Sequence, residues 1–96
     1  MKVMLNTNFY VDGVSDHGYL ELEAGATLMD LLQALSKRCQ DDSKFIIPET
    51  NQVDPDEYSI HVNQTALDYL PRGLETVLND GDLVSVIYWM DVLGGG

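Results

Sequence analysis

Basic residues are scarce: five lysines and arginines stand against sixteen aspartates and glutamates, for a formal net charge of −11. A charge of that sign and size repels nucleic acid and anionic membranes, so neither is an expected partner. A partner with a basic surface is expected instead, because long-range attraction speeds encounter more than it tightens a complex. Solubility alone would also account for the acid excess. Cysteine is scarcer still. Cys39 is the only one, which excludes an intrachain disulfide and a thiolate cluster for zinc or iron and sulfur. It falls in register with the apolar side of an expected helix and reads as a buried structural thiol. No apolar run nears the roughly 20 residues of a membrane-spanning helix. No leader-like segment precedes the alternating start Lys2, Val3, Met4, Leu5, Asn6, and a cytoplasmic location is expected. Enzyme signatures are missing as well. His17 and His61 fall in an expected turn and strand with no carboxylate and nucleophile spaced around them, and no phosphate-binding glycine loop precedes a helix. The reading is a chain without a catalytic site, bound cofactor or metal of its own.

What is present is enough for one folded domain. A chain of 96 residues with 45% hydrophobic side chains buries roughly 60–65% of its unfolded surface and folds without disulfides or metal. Residues Lys2 to Val11 alternate as a strand, and Gly18 to Glu23 supply a second, joined to the first as a hairpin. Thr27 with Asp30 three residues later is a capping box, followed by Leu28, Leu31, Leu32, Leu35 and Cys39 at helical spacing. Lys37 and Arg38 are expected in the last helical turn, where cations oppose the dipole. Residues 40–57 form a long connection containing Pro48 and Pro55. A third strand is expected at Tyr58–Val62 with Asn63 and Gln64 as its exit turn. Tyr69, Leu70, Leu74 and Leu78 then suggest a short irregular element over the edge of the core. Asp80, Gly81 and Asp82 form a tight turn, and a last strand runs from Leu83 to Trp89 with Val84 and Val86 inward. The sum is an α+β layer, one helix across a small sheet.

The sequence closes on Gly94, Gly95 and Gly96, a few residues beyond that last strand. Glycine lacks Cβ, so such a segment can thread a channel closed to any side chain. A terminal carboxylate has a reference pKa of roughly 3.3–3.7 and is ionised at neutral pH, able to attack an activated phosphate. Residues 1–90 are therefore expected to form the domain and residues 91–96 a flexible tail with the glycyl carboxylate as its reactive group. Taken alone, three glycines fit a frayed terminus as well.

The combination is more specific. Val62, Asn63, Gln64 and Thr65 after the third strand, then Gly73, Leu74, Glu75, Thr76, Val77 and Leu78, then Asp80, Gly81, Asp82, Leu83 and Val84, stand in order ahead of the glycines. With these residues the chain resembles the ubiquitin-like sulfur carriers of the β-grasp fold, especially the small subunit of molybdopterin synthase and more distantly the thiamine sulfur carrier. The resemblance implies a small mixed sheet with one main helix packed across it. It also implies a carrier whose terminal glycine is adenylated by an ATP-dependent activating enzyme and converted to a thiocarboxylate. The acyl adenylate and thiocarboxylate are transient covalent states, and ATP is the partner's substrate. The second implied partner is the large subunit of molybdopterin synthase or a similar acceptor; alone, the carrier is expected to be a monomer. A ubiquitin-like modifier that forms isopeptide bonds would use the same activated carboxylate, and a plain interaction domain would need none of it.

Three features depart from the family pattern. Gly94 and Gly95 match the usual pair, so Gly96 is an extra residue that lengthens the arm by roughly 3.3–3.6 Å. Tyr88, Trp89, Met90 and Asp91 stand where a proline-containing stretch is common, and the loop ending in Asp54, Pro55, Asp56 and Glu57 is more acidic than expected. Ile87 and Trp89, on the outward side of the last strand, with Met90 and Leu93 beyond, are the expected partner-docking residues, since large apolar side chains anchor interfaces. The alternative is that Ile87 and Trp89 fill this domain's own core.

Overall fold

The computed structural model describes residues 1–8, 18–38, 52–53 and 57–88. Strands β1 (Lys2–Thr7), β2 (Tyr19–Glu21), β3 (Tyr58–Val62), β4 (Thr65–Ala66) and β5 (Leu83–Tyr88) form one sheet in the order β2-β1-β5-β3-β4. β1 and β5 run parallel and the other neighbours antiparallel. Helix α1 (Leu28–Ser36) covers one face.

Alternation decides which face each strand buries. Val3 and Leu5 of β1, Leu20 of β2, Ile60 and Val62 of β3, and Val84 and Val86 of β5 join Leu28, Leu31, Leu32 and Leu35 of α1 in one core. The helix starts as its capping box dictates. Thr27 Oγ1 accepts the Asp30 N–H at 3.2 Å and Asp30 Oδ2 accepts the Thr27 N–H at 2.9 Å. Its end differs from expectation. Lys37 is the C-terminal cap and Arg38 lies beyond it. The Arg38 N–H bonds the carbonyl of Leu35, three residues back, so the chain tightens into a turn before either cation joins the last helical turn.

β1 is described as far as Thr7, and at Asn8 the side chain, not the backbone, meets β5; residues 9–11 of the expected strand lie outside the described residues. β2 is trimmed to three residues, although Gly18 O and the Leu22 N–H still bond β1 and Met1. β3 has the expected bounds. Asn63 and Gln64 have φ of 50° and 73°, the paired positive values of a two-residue hairpin turn, and they return the chain as β4, which the sequence reading did not include.

From Leu67 to Leu78 the irregular element resolves into two 3₁₀ turns, Leu67–Tyr69 and Gly73–Glu75. Leu74 and Leu78 are buried, and Leu67 and Leu70 pack against the core. Tyr69, expected among them, is 81% exposed. With three residues per turn, positions i and i+3 share a side, so Leu67 and Leu70 take the inward one and Tyr69 points out. The Asn79–Asp82 turn closes on Gly81, whose φ is +88°. The expected boundary at 90/91, Cys39, His17 and most of the long 40–57 connection fall outside the described residues.

Candidate functional site

The element that leads to the terminal glycines is β5, and the sheet holds it from both sides. Parallel pairing sets Leu5 beside Val84 and Thr7 beside Val86. Antiparallel pairing sets Val62 beside Val84 and Tyr58 beside Tyr88. A strand so placed has no free edge.

Its two ends are fixed by side chains. At the start, Asn63 Oδ1 accepts the Leu83 N–H at 2.9 Å while Asn63 Nδ2 donates to Asp82 Oδ1 at 2.9 Å. Asp82 Oδ2 accepts the Asn79 N–H at 2.8 Å, and Asp80 Oδ1 accepts the Lys2 N–H at 2.6 Å. At the far end the Tyr88 N–H donates to Asn8 Oδ1 at 2.8 Å and Asn8 Nδ2 donates to the Tyr88 carbonyl at 3.1 Å. The Tyr88 ring stacks on Tyr58 with centroids 5.2 Å apart and planes tilted by 31°. The sequence reading treated Asn63, Asp80 and Asp82 as turn formers and as part of the family resemblance, not as clamps on β5, and passed over Asn8. Asparagine next to a strand end is a signal for side-chain bonding to backbone, but its partner, 80 residues away, is invisible without the fold.

Of the expected docking residues, Ile87 is described: it is partly buried on the sheet face turned away from α1, beside Ser59. Trp89, Met90 and Leu93, and the expected reactive residues Gly94, Gly95 and Gly96, lie outside the described residues. On the same outer face Met4 stands between Tyr19 and Leu83, at 38%, 49% and 38% exposure. Lys2 Nζ sits 4.8 Å from the centre of the Tyr19 ring, within cation–π range. This row makes an apolar stripe at the start of β5, with Ile87 at its other end.

His61 lies on the outer face beside Ser85. Among the described residues no three His, Cys, Asp or Glu side chains gather as a metal-binding group. A concavity of about 660 Å³ lies between β3 and residues 66–74, lined in part by Tyr58 and Ser59, the neighbours of Tyr88 and Ile87 in the sheet. Among the described residues its lining includes Gln52, Ser59 and Asp68 but no histidine, cysteine, lysine or arginine. No helix among the described residues is long and apolar enough to cross a membrane.

The sequence profile of the ThiS family matches residues 11–95. The chain belongs to the ThiS family. That family and its structural neighbours are ubiquitin-like sulfur carriers and modifiers, and the mixed sheet of five strands with one helix among the described residues is their β-grasp fold. The HVO 2177 protein of Haloferax volcanii, solved in solution, is 27% identical with a TM-score of 0.69, over 92% of this chain and 82% of that one. Two structures share the ThiS-family fold at lower identity. Urm1 of Trypanosoma brucei is 20% identical with a TM-score of 0.67, over 91% and 90% of the two chains. SAMP1 of Haloferax volcanii is 14% identical with a TM-score of 0.63, over 90% and 92%. A sequence search of curated proteins gives no significant match.

Proposed function

We propose that this ThiS-family chain carries sulfur as a thiocarboxylate on Gly96, for assembly of a molybdopterin or tungsten-pterin cofactor. The observation that carries the proposal is the placement of three closing glycines a few residues past β5, the strand clamped between β1 and β3. The carboxylate oxygen attacks the α-phosphate of ATP in an activating enzyme, and pyrophosphate leaves. A persulfide sulfur then attacks the acyl carbon and AMP leaves; a thiol cleaves the resulting acyl disulfide, releasing the thiocarboxylate and a new disulfide. Activation is required because a carboxylate is a poor electrophile whereas an acyl adenylate has a good leaving group. Gly94, Gly95 and Gly96 thread the partner's active site because they have no side chains to obstruct it. The partners are the activating enzyme and an acceptor enzyme resembling the large subunit of molybdopterin synthase. The pterin assignment is supported by the length of the chain and by its Gly73–Val84 segment, which fit the shorter thiamine carriers less well.

Docking in this proposal uses the outer face of the sheet, with Met4, Leu83 and Ile87 from the described residues and Trp89, Met90 and Leu93 from the segment after β5. The acidic domain then meets a basic rim on the partner. Intact mass of the protein recovered from its native host tests the chemistry. Replacement of one oxygen by sulfur on the whole chain is the expected result. Unmodified carrier in the presence of active activating enzyme and sulfur donor overturns it, and glycine remnants on lysines of other proteins would assign the same carboxylate to protein modification instead.

A further inference from the structure

The geometry points to Asn8 as the positioning residue that fixes where the reactive arm begins, a role that rests on the carrier reading above. The Asn63 N–H bonds the Leu83 carbonyl at 2.8 Å. Hydrogen-bonded and non-bonded pairs alternate along an antiparallel ladder, so His61 with Ser85 and Ser59 with Ile87 are the bonded pairs between β3 and β5. Tyr58 with Tyr88 is then a non-bonded pair, and the Tyr88 N–H and C=O face the other way, toward β1. Backbone pairing with β1 has stopped there, since the last registered partners are Thr7 and Val86. The Asn8 carboxamide occupies the place of the missing peptide unit: it accepts from the Tyr88 N–H at 2.8 Å and donates to the Tyr88 carbonyl at 3.1 Å. A carboxamide is the one short neutral side chain with a donor and an acceptor in the same plane as a peptide group.

The consequence is a fixed starting point. With Tyr88 held, the Gly96 of the carrier reading lies eight residues further along the sequence, a reach of at most about 26–29 Å. Without the clamp, Tyr88 becomes part of the arm and its backbone must be ordered each time the carboxylate is placed against ATP. Ordering one residue corresponds to about a fivefold to thirtyfold loss in rate. The loss falls on kcat, because Asn8 acts on presentation of the carboxylate and not on the apolar face that docks.

The test uses the full 96-residue chain and the activating enzyme from its native host. Asn8→Ala removes both bonds. Asn8→Ser, smaller but still polar, serves as a second variant should alanine impair folding, and Asn8→Asp retains the acceptor for the Tyr88 N–H while losing the donor. Amide hydrogen exchange at Tyr88 is expected to accelerate at least about tenfold in Asn8→Ala with Val84 and Val86 unchanged. In ATP–pyrophosphate exchange, kcat is expected to fall about fivefold to thirtyfold with the KM for the carrier within about twofold. Asn8→Asp is expected to fall between wild type and alanine in both readouts. Unchanged Tyr88 protection overturns the clamp, and lost protection with unchanged kcat overturns the positioning role while leaving the carrier reading intact. Absence of pyrophosphate exchange with the wild-type chain overturns the carrier reading, and the positioning role with it.

Discussion

At the residue scale the fold depends on a few backbone positions that composition alone does not single out. Gly81 closes the turn into β5 at φ +88°, and a Cβ there would meet no heavy atom within 4 Å. Any cost of substitution is therefore conformational and not steric crowding by neighbours. Gly81→Ala is expected to lower unfolding stability by about 1–2 kcal/mol in urea titrations, the cost of holding an L-residue in left-handed backbone. A loss below about 0.3 kcal/mol would mean that the turn relaxes to another conformation. Gly81 was legible because Asp-Gly-Asp between apolar runs is turn chemistry. Asn8 and Asn63 were not legible in the same way, since each bonds backbone that the fold brings from far along the chain: Tyr88 for Asn8 and Leu83 for Asn63.

At the element scale the helix is the part most fully written in local sequence. Its start rests on two reciprocal bonds between Thr27 and Asp30, and its packing on Leu28, Leu31, Leu32 and Leu35, all wholly buried. Thr27→Ala is expected to cost about 1 kcal/mol, and Leu31→Ala about 2–5 kcal/mol because the cavity adds to the lost burial. Equilibrium urea unfolding of both variants checks the order; a larger loss for the cap than for the core leucine would contradict this account. The strands were less complete. β4 has only two residues, too few for any alternation to register. At the end of β1 the Asn8 side chain takes over the rung beside Tyr88, which no alternation pattern announces. The stretch from Leu67 to Leu78 was visible as apolar but not as two 3₁₀ turns, and the exposed Tyr69 shows the difference: hydrophobicity identifies candidates for burial, while turn geometry selects among them.

At the scale of the whole molecule, the proposed carrier is a support whose central strand leads in sequence to three glycines. Stability and chemistry should therefore separate. In the carrier reading, removal of Gly94–Gly96 is expected to leave the urea midpoint unchanged, since glycine has no side chain to contribute to a core, while abolishing ATP–pyrophosphate exchange with the activating enzyme. Leu83→Asp is expected to do the reverse in kind: it leaves the carboxylate in place but raises the KM for the carrier about tenfold by placing a charge in the Met4–Leu83 stripe. If the truncated chain unfolds, the glycines are structural; if Leu83→Asp leaves the KM unchanged, the outer face is not the docking surface.

By itself, the sequence determined the helix with its cap, the inward faces of β1, β3 and β5, the turn at Gly81 and the closing glycines, because each follows from spacing or backbone chemistry within a few residues. The β-grasp reading needed the order of weak motifs along the chain, and the ThiS profile over residues 11–95 agrees with it. Only the tertiary structure decided that β5 lies between β1 and β3, and that Asn8 takes the rung at Tyr88. Strand neighbours and side-chain-to-backbone bonds across 80 residues are properties of chain topology, and local propensity carries no record of them.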